Sequence, residues 1–413
     1  MARRRTDERG AALLIVMVAV SVLTALAVDL AYESRVSLRI AANARDELRA
    51  TALARGGVAL SRLVLHMQQQ VDAATPAAGA APAGVPAFPR PQLWRLVPVG
   101  DALAAGLFGG PEAPRAAPRE EGSPAPRGDG FDVEIEDEAR KVNVQLDSSF
   151  TTGQLAAQLQ ALYQLVCDPR WDALFDREDA NGLRVSRQDL LVYLRDWIDQ
   201  DEQTSALAAS FPPGACAAVI PPAMNPFEAG FGDENFPYDR GDDRYRAKNA
   251  RVDSLAELHL VAGVTDAFMA AFGDAITVYL PPDTKPNVND TDPAQLLVKA
   301  ALIADPQDQP ELRNPEFLAK LQQAALERTL GGMLSMSNSD FGDLVEGAGV
   351  TVSKSKVTGD KSLLFDRSSA FRLRAVGRAG DVAKTLDVVV WLDKAGAAKP
   401  VTTPGRVVHW REE

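Results

Sequence analysis

The chain has 413 residues, 46% of them hydrophobic and 24% charged, enough to support two packed domains besides a long helix. Its net charge of -12 argues against nucleic-acid binding, which rests on clustered Lys and Arg. The basic cluster stands in the first ten residues, and the sequence has no G-x-x-x-x-G-K-[ST] loop for ATP.

The chain opens on MARRRTDERG, followed by 18 residues without a charge, Ala11 to Val28. Such a run makes a helix of about 27 Å, close to the hydrocarbon thickness of a bilayer. Arg3, Arg4 and Arg5 hold the N-terminus in the cytoplasm and put everything after Asp29 on the far side. Two readings compete. In one, Ala25-Leu26-Ala27 is the cleavage site of a secretory signal peptide. In the other, a peptidase cuts at the Gly10-Ala11 junction and the apolar helix is retained. From Glu33 onward Val36, Ile40, Ala44, Leu48 and Ala52 recur every four residues as an amphipathic stripe, with no helix stop before them. One helix of some 45 residues therefore leaves the membrane directly, loosened at Gly56-Gly57, and the second reading is preferred.

After the helix, 73–91 is dominated by Ala and Pro and 109–130 by Pro, Gly and charge, so both are connectors. Leu93 to Val99 and Phe131 to Leu146 carry the alternation of strands. Helical apolar spacing follows at Leu155–Val166, Arg187–Trp197, Leu255–Ala262, Pro293–Ile303 and Pro315–Leu330. Strand character returns at Phe371–Val376, Lys384–Leu392 and Val407–Arg411.

The charged-to-apolar junction at Gly10-Ala11 and the long helix after it resemble the type IV pilin and pseudopilin superfamily. Most members carry Glu at the fifth mature position, where this chain has Ile15. A lone carboxylate in the bilayer core costs about 2.5 to 3.5 kcal/mol unless a partner neutralises it, so a subunit with nothing above it can do without one. That absence is a mark of the K-type minor pseudopilins of type II secretion (general secretion pathway protein K). Further stretches are similar to that family in order. GFDVEIEDEARKVN, from Gly130 to Asn143, carries its I-x-DE-x-x-K-x-N pattern at Asp137, Glu138, Lys141 and Asn143. LRDWIDQD, from Leu194 to Asp201, matches DWID-x-D, and GDENFPY from Gly232 matches G-x-E. Tyr245, Lys248 and Asn249, then Ser254, Glu257 and Leu258, then Asn287 and Asn289, fit Y-x-x-KN, S-x-x-EL and N-x-N.

The resemblance implies an α+β fold: a long N-terminal transmembrane helix plus a pilin-like α/β core with a large inserted, mainly helical domain. Residues 1–10 would be the prepilin leader peptide and 11–72 the transmembrane and amphipathic helix. Linkers and first core strands would occupy 73–150, the inserted domain 151–345, with segments like SAM and helix-hairpin-helix pieces, and the last core strands 346–413. It further implies cleavage by prepilin peptidase between Gly10 and Ala11 and N-methylation of Ala11. The mature chain would sit in the inner membrane with its C-terminal domains in the periplasm, assemble with minor pseudopilins of types I and J, and cap the tip of the major pseudopilin filament that exports folded proteins. Because leader and helix are shared across the superfamily, a minor pilin of a type IV pilus is the alternative. A helix-hairpin-helix nucleic-acid module, suggested by 255–264 and 287–297, is opposed by the acidic surroundings and by the lack of a second glycine after Gly263.

Asp199 and Asp201 lie just past a predicted helix, and the acidic loop Asp233, Glu234, Asp239, Asp242 and Asp243 follows. From the residues alone, a solvated acidic loop competes with a metal site. Ca²⁺ takes six to eight oxygen ligands, whereas Zn²⁺ would want His or Cys. The K-type family binds calcium in its helical domain. The resemblance therefore implies Asp199, Asp201 and Glu234 as ligands, with Asp233 and Asp239 behind them. An EF-hand at Asp176–Gly182 fails, since Arg177 and Gln188 would hold its anchoring positions; an Asn-Gly turn fits better. Cys167 and Cys216 either form a disulfide or stay as two buried thiols, and spacing does not choose. His66, His259 and His409 fall in unrelated segments, so an enzyme, including a membrane-tethered calcium-dependent one, finds no support. The sequon at Asn289 to Thr291 reads as a helix cap.

Overall fold

A computed structural model of the chain describes residues 5–74, 90–108, 129–147, 150–175, 177–178, 182–209, 211, 225–240, 244–281, 284–305, 309–359, 362–392 and 404–413. The expected connectors fall largely outside these, as do Asp242, Asp243 and Cys216.

Helix α1 runs unbroken from Arg5 to Ala74, 70 residues, or about 105 Å at 1.5 Å per residue. Its stretch Gly10–Ala73 is long and apolar enough to cross a membrane, with a mean hydropathy of 2.8 in the best window. The hydroxyls inside the apolar run are satisfied locally: Ser21 donates to the Met17 carbonyl at 2.8 Å and Thr24 to that of Val20 at 2.7 Å.

The C-terminal half of α1 lies on a five-stranded antiparallel sheet. Its strands are β2 (Val99–Gly100), β3 (Gly130–Asp137), β9 (Ala370–Ala379), β10 (Val382–Trp391) and β11 (Arg406–Glu412), in the order β11-β10-β9-β3-β2. The stripe Val36, Ile40, Ala44, Leu48, Ala52 does not face the sheet, and Ile40 and Leu48 are 64% and 74% exposed. The sheet is met instead by Ala50, Ala54, Val58, Ser61 and Leu65, a row of mostly small residues on another face. The reason is close approach: a Cβ on Gly377 of β9 would stand 2.0 Å from the Ala50 carbonyl oxygen and 2.6 Å from the Ala54 nitrogen. Nor do the paired glycines loosen the helix. Gly57 is where α1 touches β3, since a Cβ there would lie 2.7 Å from Val133 and 2.8 Å from Phe131. Replacing Gly377 with Ala should cost about 3 kcal/mol, because backbone, not a movable side chain, occupies the space. Gly56→Ala, which meets nothing, should cost nothing or stabilise by up to about 1 kcal/mol. Thermal unfolding of the detergent-solubilised chain checks both; equal melting temperatures would remove this account of the contact.

The core between helix and sheet is built from Ala54, Val58 and Leu65 against Phe131, Val133, Phe371, Leu373, Leu386 and Val388. Before β2, strand β1 (Arg90–Pro91) leads into helix α2 (Leu93–Leu96), and helix α3 (Asp101–Phe108) follows β2. The strand expected over Leu93–Val99 is thus mostly helix. Trp94 is buried edge-on against Phe371 at 5.5 Å, and the Leu93 amide donates to Gln68 of α1 at 2.6 Å, which turns the chain in place of extending it.

Asp137 of β3 and Phe371 of β9 are register partners, and the chain between them makes a long excursion. It begins with a 3-10 turn (Glu138–Arg140) and β4 (Val142–Asn143), which pairs in parallel with β7 (Ile276–Thr277). Helices α4 (Thr152–Val166) and α5 (Arg187–Asp196) each start at a capping box, Thr151 with Gln154 and Ser186 with Asp189. Strands β5 (Gln203–Leu207) and β6 (Phe227–Asp233) form an antiparallel pair, and α6 (Asp266–Phe272) completes the first helical core. A second core gathers α7 (Pro293–Ile303), α8 (Pro315–Arg328), α9 (Asn338–Gly347) and α10 (Lys354–Val357), with β8 (Leu334–Ser335) returning to pair with β1. Helical elements therefore continue past residue 345. The expected helix at Leu255–Ala262 is a 3-10 turn over Leu255–Leu260, begun without a side-chain cap. Asn289 is buried and donates to Asn287 and to the Met336 carbonyl; the cap of α7 is Asp292. Gly182, at φ +73, sits in the expected turn before α5.

Candidate metal centre

The end of α5 fixes two carboxylates. Asp196 is the last residue of the helix, and Asp199, three residues on, falls on the same side. Trp197 and Ile198 between them are buried in the first helical core. The β5–β6 pair then carries the chain back, so that Glu234, immediately after β6, lies over them. One oxygen from each of Asp196, Asp199 and Glu234 lies within 4.8 Å of the others, and the residues are only 1%, 3% and 1% exposed.

Among the described residues these carboxylates are only partly satisfied by protein donors. Asp196 accepts from the Ser205 amide at 2.9 Å through Oδ1, while its Oδ2, Asp199 Oδ1 and both oxygens of Glu234 have no hydrogen-bond partner. Burial pushes Asp196 and Asp199 up to about 6 and Glu234 up to about 7; like-charge repulsion adds to the rise, from Asp199 at Asp196, from Asp201 at Asp199, and from Asp199, Asp196 and Asp201 at Glu234. Buried, unpaired carboxylate oxygens converging on one point are costly, and a hard divalent cation is what such a donor set fits. A cleft lined by Asp199, Asp201, Gln203, Ser205 and Phe227 runs beside the site.

Of the expected ligands, the structure brings Asp199 and Glu234 together and leaves three outside. Asp201 is exposed and caps its own turn, accepting from the Gln203 amide at 2.8 Å, although its charge still acts on Asp199 and Glu234. Asp233 precedes Glu234 at the end of a strand and so points the other way; it accepts from the amide and side chain of Asn235 at 2.9 and 3.0 Å. Asp239 is exposed and faces Arg244 at 3.5 Å. Asp196 was missed, although the i, i+3 spacing of the first and second Asp in DWID was the available signal. The neighbouring motif residues hold the frame: Trp197 donates to Glu257 at 3.1 Å, Lys248 reaches Glu257 at 2.9 Å, and Asn249, at φ +51, donates to the Asp201 carbonyl at 2.7 Å. Cys167 follows α4 and is disulfide-bonded.

A second set of motif residues joins the excursion to the sheet. Glu138, wholly buried, accepts from Arg372 Nε and Nη2 at 3.0 Å each and from Thr277 at 2.6 Å. Arg372 reaches both oxygens of Asp387 at 2.9 Å with its remaining nitrogen, and Lys141 lies 3.4 Å from Glu138. Asp137 accepts from Asn287 at 2.8 Å and from Ser368, so the departing and returning strands are tied at the neck. The histidines are scattered: His409 lies against Tyr279 and His259 faces Asp266 at 3.5 Å. Gly263 packs on Val185, where a Cβ would come within 2.6 Å, so the turn of the hairpin-like segment is pressed into the core.

A long apolar helix laid on an antiparallel sheet, with a helical excursion between two of its strands, defines a pilin-like α+β protein. No family model matches the sequence, and no curated protein does. A chain of the crystal structure of the GspK-GspI-GspJ complex from the enterotoxigenic Escherichia coli type 2 secretion system matches over 90% of this chain and 98% of that one, with a TM-score of 0.52 and 14% sequence identity. The chain has a GspK-like fold.

Proposed function

We propose that the chain is a non-enzymatic minor pseudopilin of a type II secretion system, placed at the filament tip with partners of types I and J. The observation that carries this reading is α1. It passes without a break from the Gly10-Ala11 junction through an apolar run that has Ile15 at the fifth position, and then onto the sheet. Prepilin peptidase cuts after Gly10 and methylates Ala11; the retained helix anchors the chain in the inner membrane and leaves its folded part in the periplasm. The exposed row of Ile40, Ala44 and Leu48, which the sheet does not cover, is the face on which a neighbouring helix packs. A calcium ion held by Asp196, Asp199 and Glu234 offsets two of their three negative charges and fastens the end of α5 to the β5–β6 pair.

The test is the mature N-terminus made in cells with and without prepilin peptidase, together with co-purification of the type I and J subunits. A chain starting at Ala11 only where the peptidase is present supports the reading; one starting at Val28 in both strains refutes it. Leu48→Arg should leave the melting temperature unchanged and lower recovery of the partners at least tenfold, since a buried unpaired charge in a helix seam costs several kcal/mol.

A further inference from the structure

Asp196, Asp199 and Glu234 together carry one more negative charge than a divalent ion cancels. A fixed positive group lies within reach of them. Arg195, one turn before Asp199 on α5, places Nε 3.1 Å from Asp199 Oδ2, with side-chain exposures of 14% and 4%. Its guanidinium is held from two further directions: Nη1 donates to the Leu146 carbonyl, and the group lies over the Phe227 ring at 5.7 Å from the centroid. The Nε contact lacks hydrogen-bond alignment, so Arg195 acts on Asp199 by its charge and not by orienting it. Asp199 Oδ1 stays unpaired among the described residues, and one oxygen of Asp199 lies within 4.8 Å of oxygens of Asp196 and Glu234.

We propose that Arg195 sets the charge selectivity of the metal centre: with it the site presents two net negative charges and takes a divalent ion, and without it three, which favours a trivalent one. The inference rests on the metal reading above. Asp201, exposed at the rim, adds a further negative charge that acts on Asp199 and Glu234, but it is the same in the wild type and in every Arg195 variant and so leaves their comparison unchanged.

The experiment compares Ca²⁺ and Tb³⁺ affinities of the full chain in detergent, at mildly alkaline pH, using terbium luminescence excited through Trp197 and displacement by calcium. Arg195→Gln and Arg195→Met should raise the terbium-to-calcium preference on the order of tenfold or more, the effect of one added unit charge at an effective dielectric of about 20. Arg195→Lys, which keeps the charge and loses the fork, should keep the wild-type ratio. Melting in chelator confirms that each variant is folded, and the Met side chain preserves packing on Phe227 should Gln fail. An unchanged ratio in the Gln and Met variants, or a Lys variant that shifts with them, overturns the proposal while leaving the metal site standing. A wild-type chain that binds neither ion overturns the metal reading itself.

Discussion

Calcium should raise the melting temperature of the purified chain, and Glu234→Gln should abolish that rise while making the chelated protein more stable. A ligand bound only by the native state stabilises it by about 2.7 kcal/mol at a hundred times its Kd, which for domains of this size is a shift of about 5 to 10 °C. The opposite behaviour of the variant in chelator follows from the geometry. Without a cation, three carboxylates are crowded out of water with four oxygens unpaired, and Glu234 supplies two of those oxygens. An amide in its place removes one like charge and leaves the fold's apolar contacts intact. Differential scanning calorimetry with calcium, magnesium and chelator reads both effects. If Glu234→Gln responds to calcium as the wild type does, Glu234 is not a ligand.

Arg372→Met should destabilise the chain by about 3 to 5 kcal/mol, since it takes the guanidinium from both buried Glu138 and Asp387 and leaves Glu138 with Lys141 and Thr277 alone among the described residues. Glu138→Gln should cost less, because Thr277 and one arm of Arg372 still find an acceptor and Asp387 keeps the guanidinium paired. The double variant should be less damaging than the sum of the two, as expected for residues in one network. The pH profile supplies an independent check. Burial alone would raise Glu138, but the Arg372 fork and the Lys141 charge outweigh it and hold the carboxyl below the ordinary glutamate range. A group depressed in the folded state contributes its stability above its unfolded pKa, about 4.3, and loses it as pH falls through the folded value. Glu138→Gln should therefore flatten the acid side of a plot of urea midpoint against pH. Asp137 works the other way, pushed up by burial despite its bonds to Ser368 and Asn287, and its contribution fades as pH rises.

Much of this architecture was legible because local rules and tertiary demands agree. The capping boxes at Thr151 and Ser186, the apolar spacing of α4, α5, α7 and α8, and the alternation in β9 and β10 all point to what forms. The failures share one cause: a distant element decided the outcome. The stripe through Ile40 and Leu48 is the conspicuous apolar row in the sequence, yet Gly377 admits only small residues and makes the row through Ala50 and Ala54 the one that meets the sheet. The Leu93–Leu96 segment became helical because Phe371, far away in sequence, receives Trp94 and Gln68 of α1 accepts from the Leu93 amide. At the carboxylate cluster the motifs led to Asp199 and Glu234, which converge, and to Asp201, which does not, and they passed over Asp196. Exposed Asp201 and Asp233 are conspicuous in sequence, whereas Asp196 lies inside a helical pattern, where its i, i+3 spacing to Asp199 is the one local signal and the nearness of Glu234 is set by the distant β5–β6 pair.

The unbroken run of α1 also makes the molecule a lever. From the middle of the apolar stretch to the Gly57 contact is 37 residues, or about 55 Å of helix, with no hinge along it. Tilting the buried end by ~10° swings the sheet, and the whole helical excursion tied to it at Asp137 and Ser368, sideways by roughly 10 Å. With the apolar run anchored in a bilayer, as proposed above, the orientation of the distal head follows from the lean of the rod.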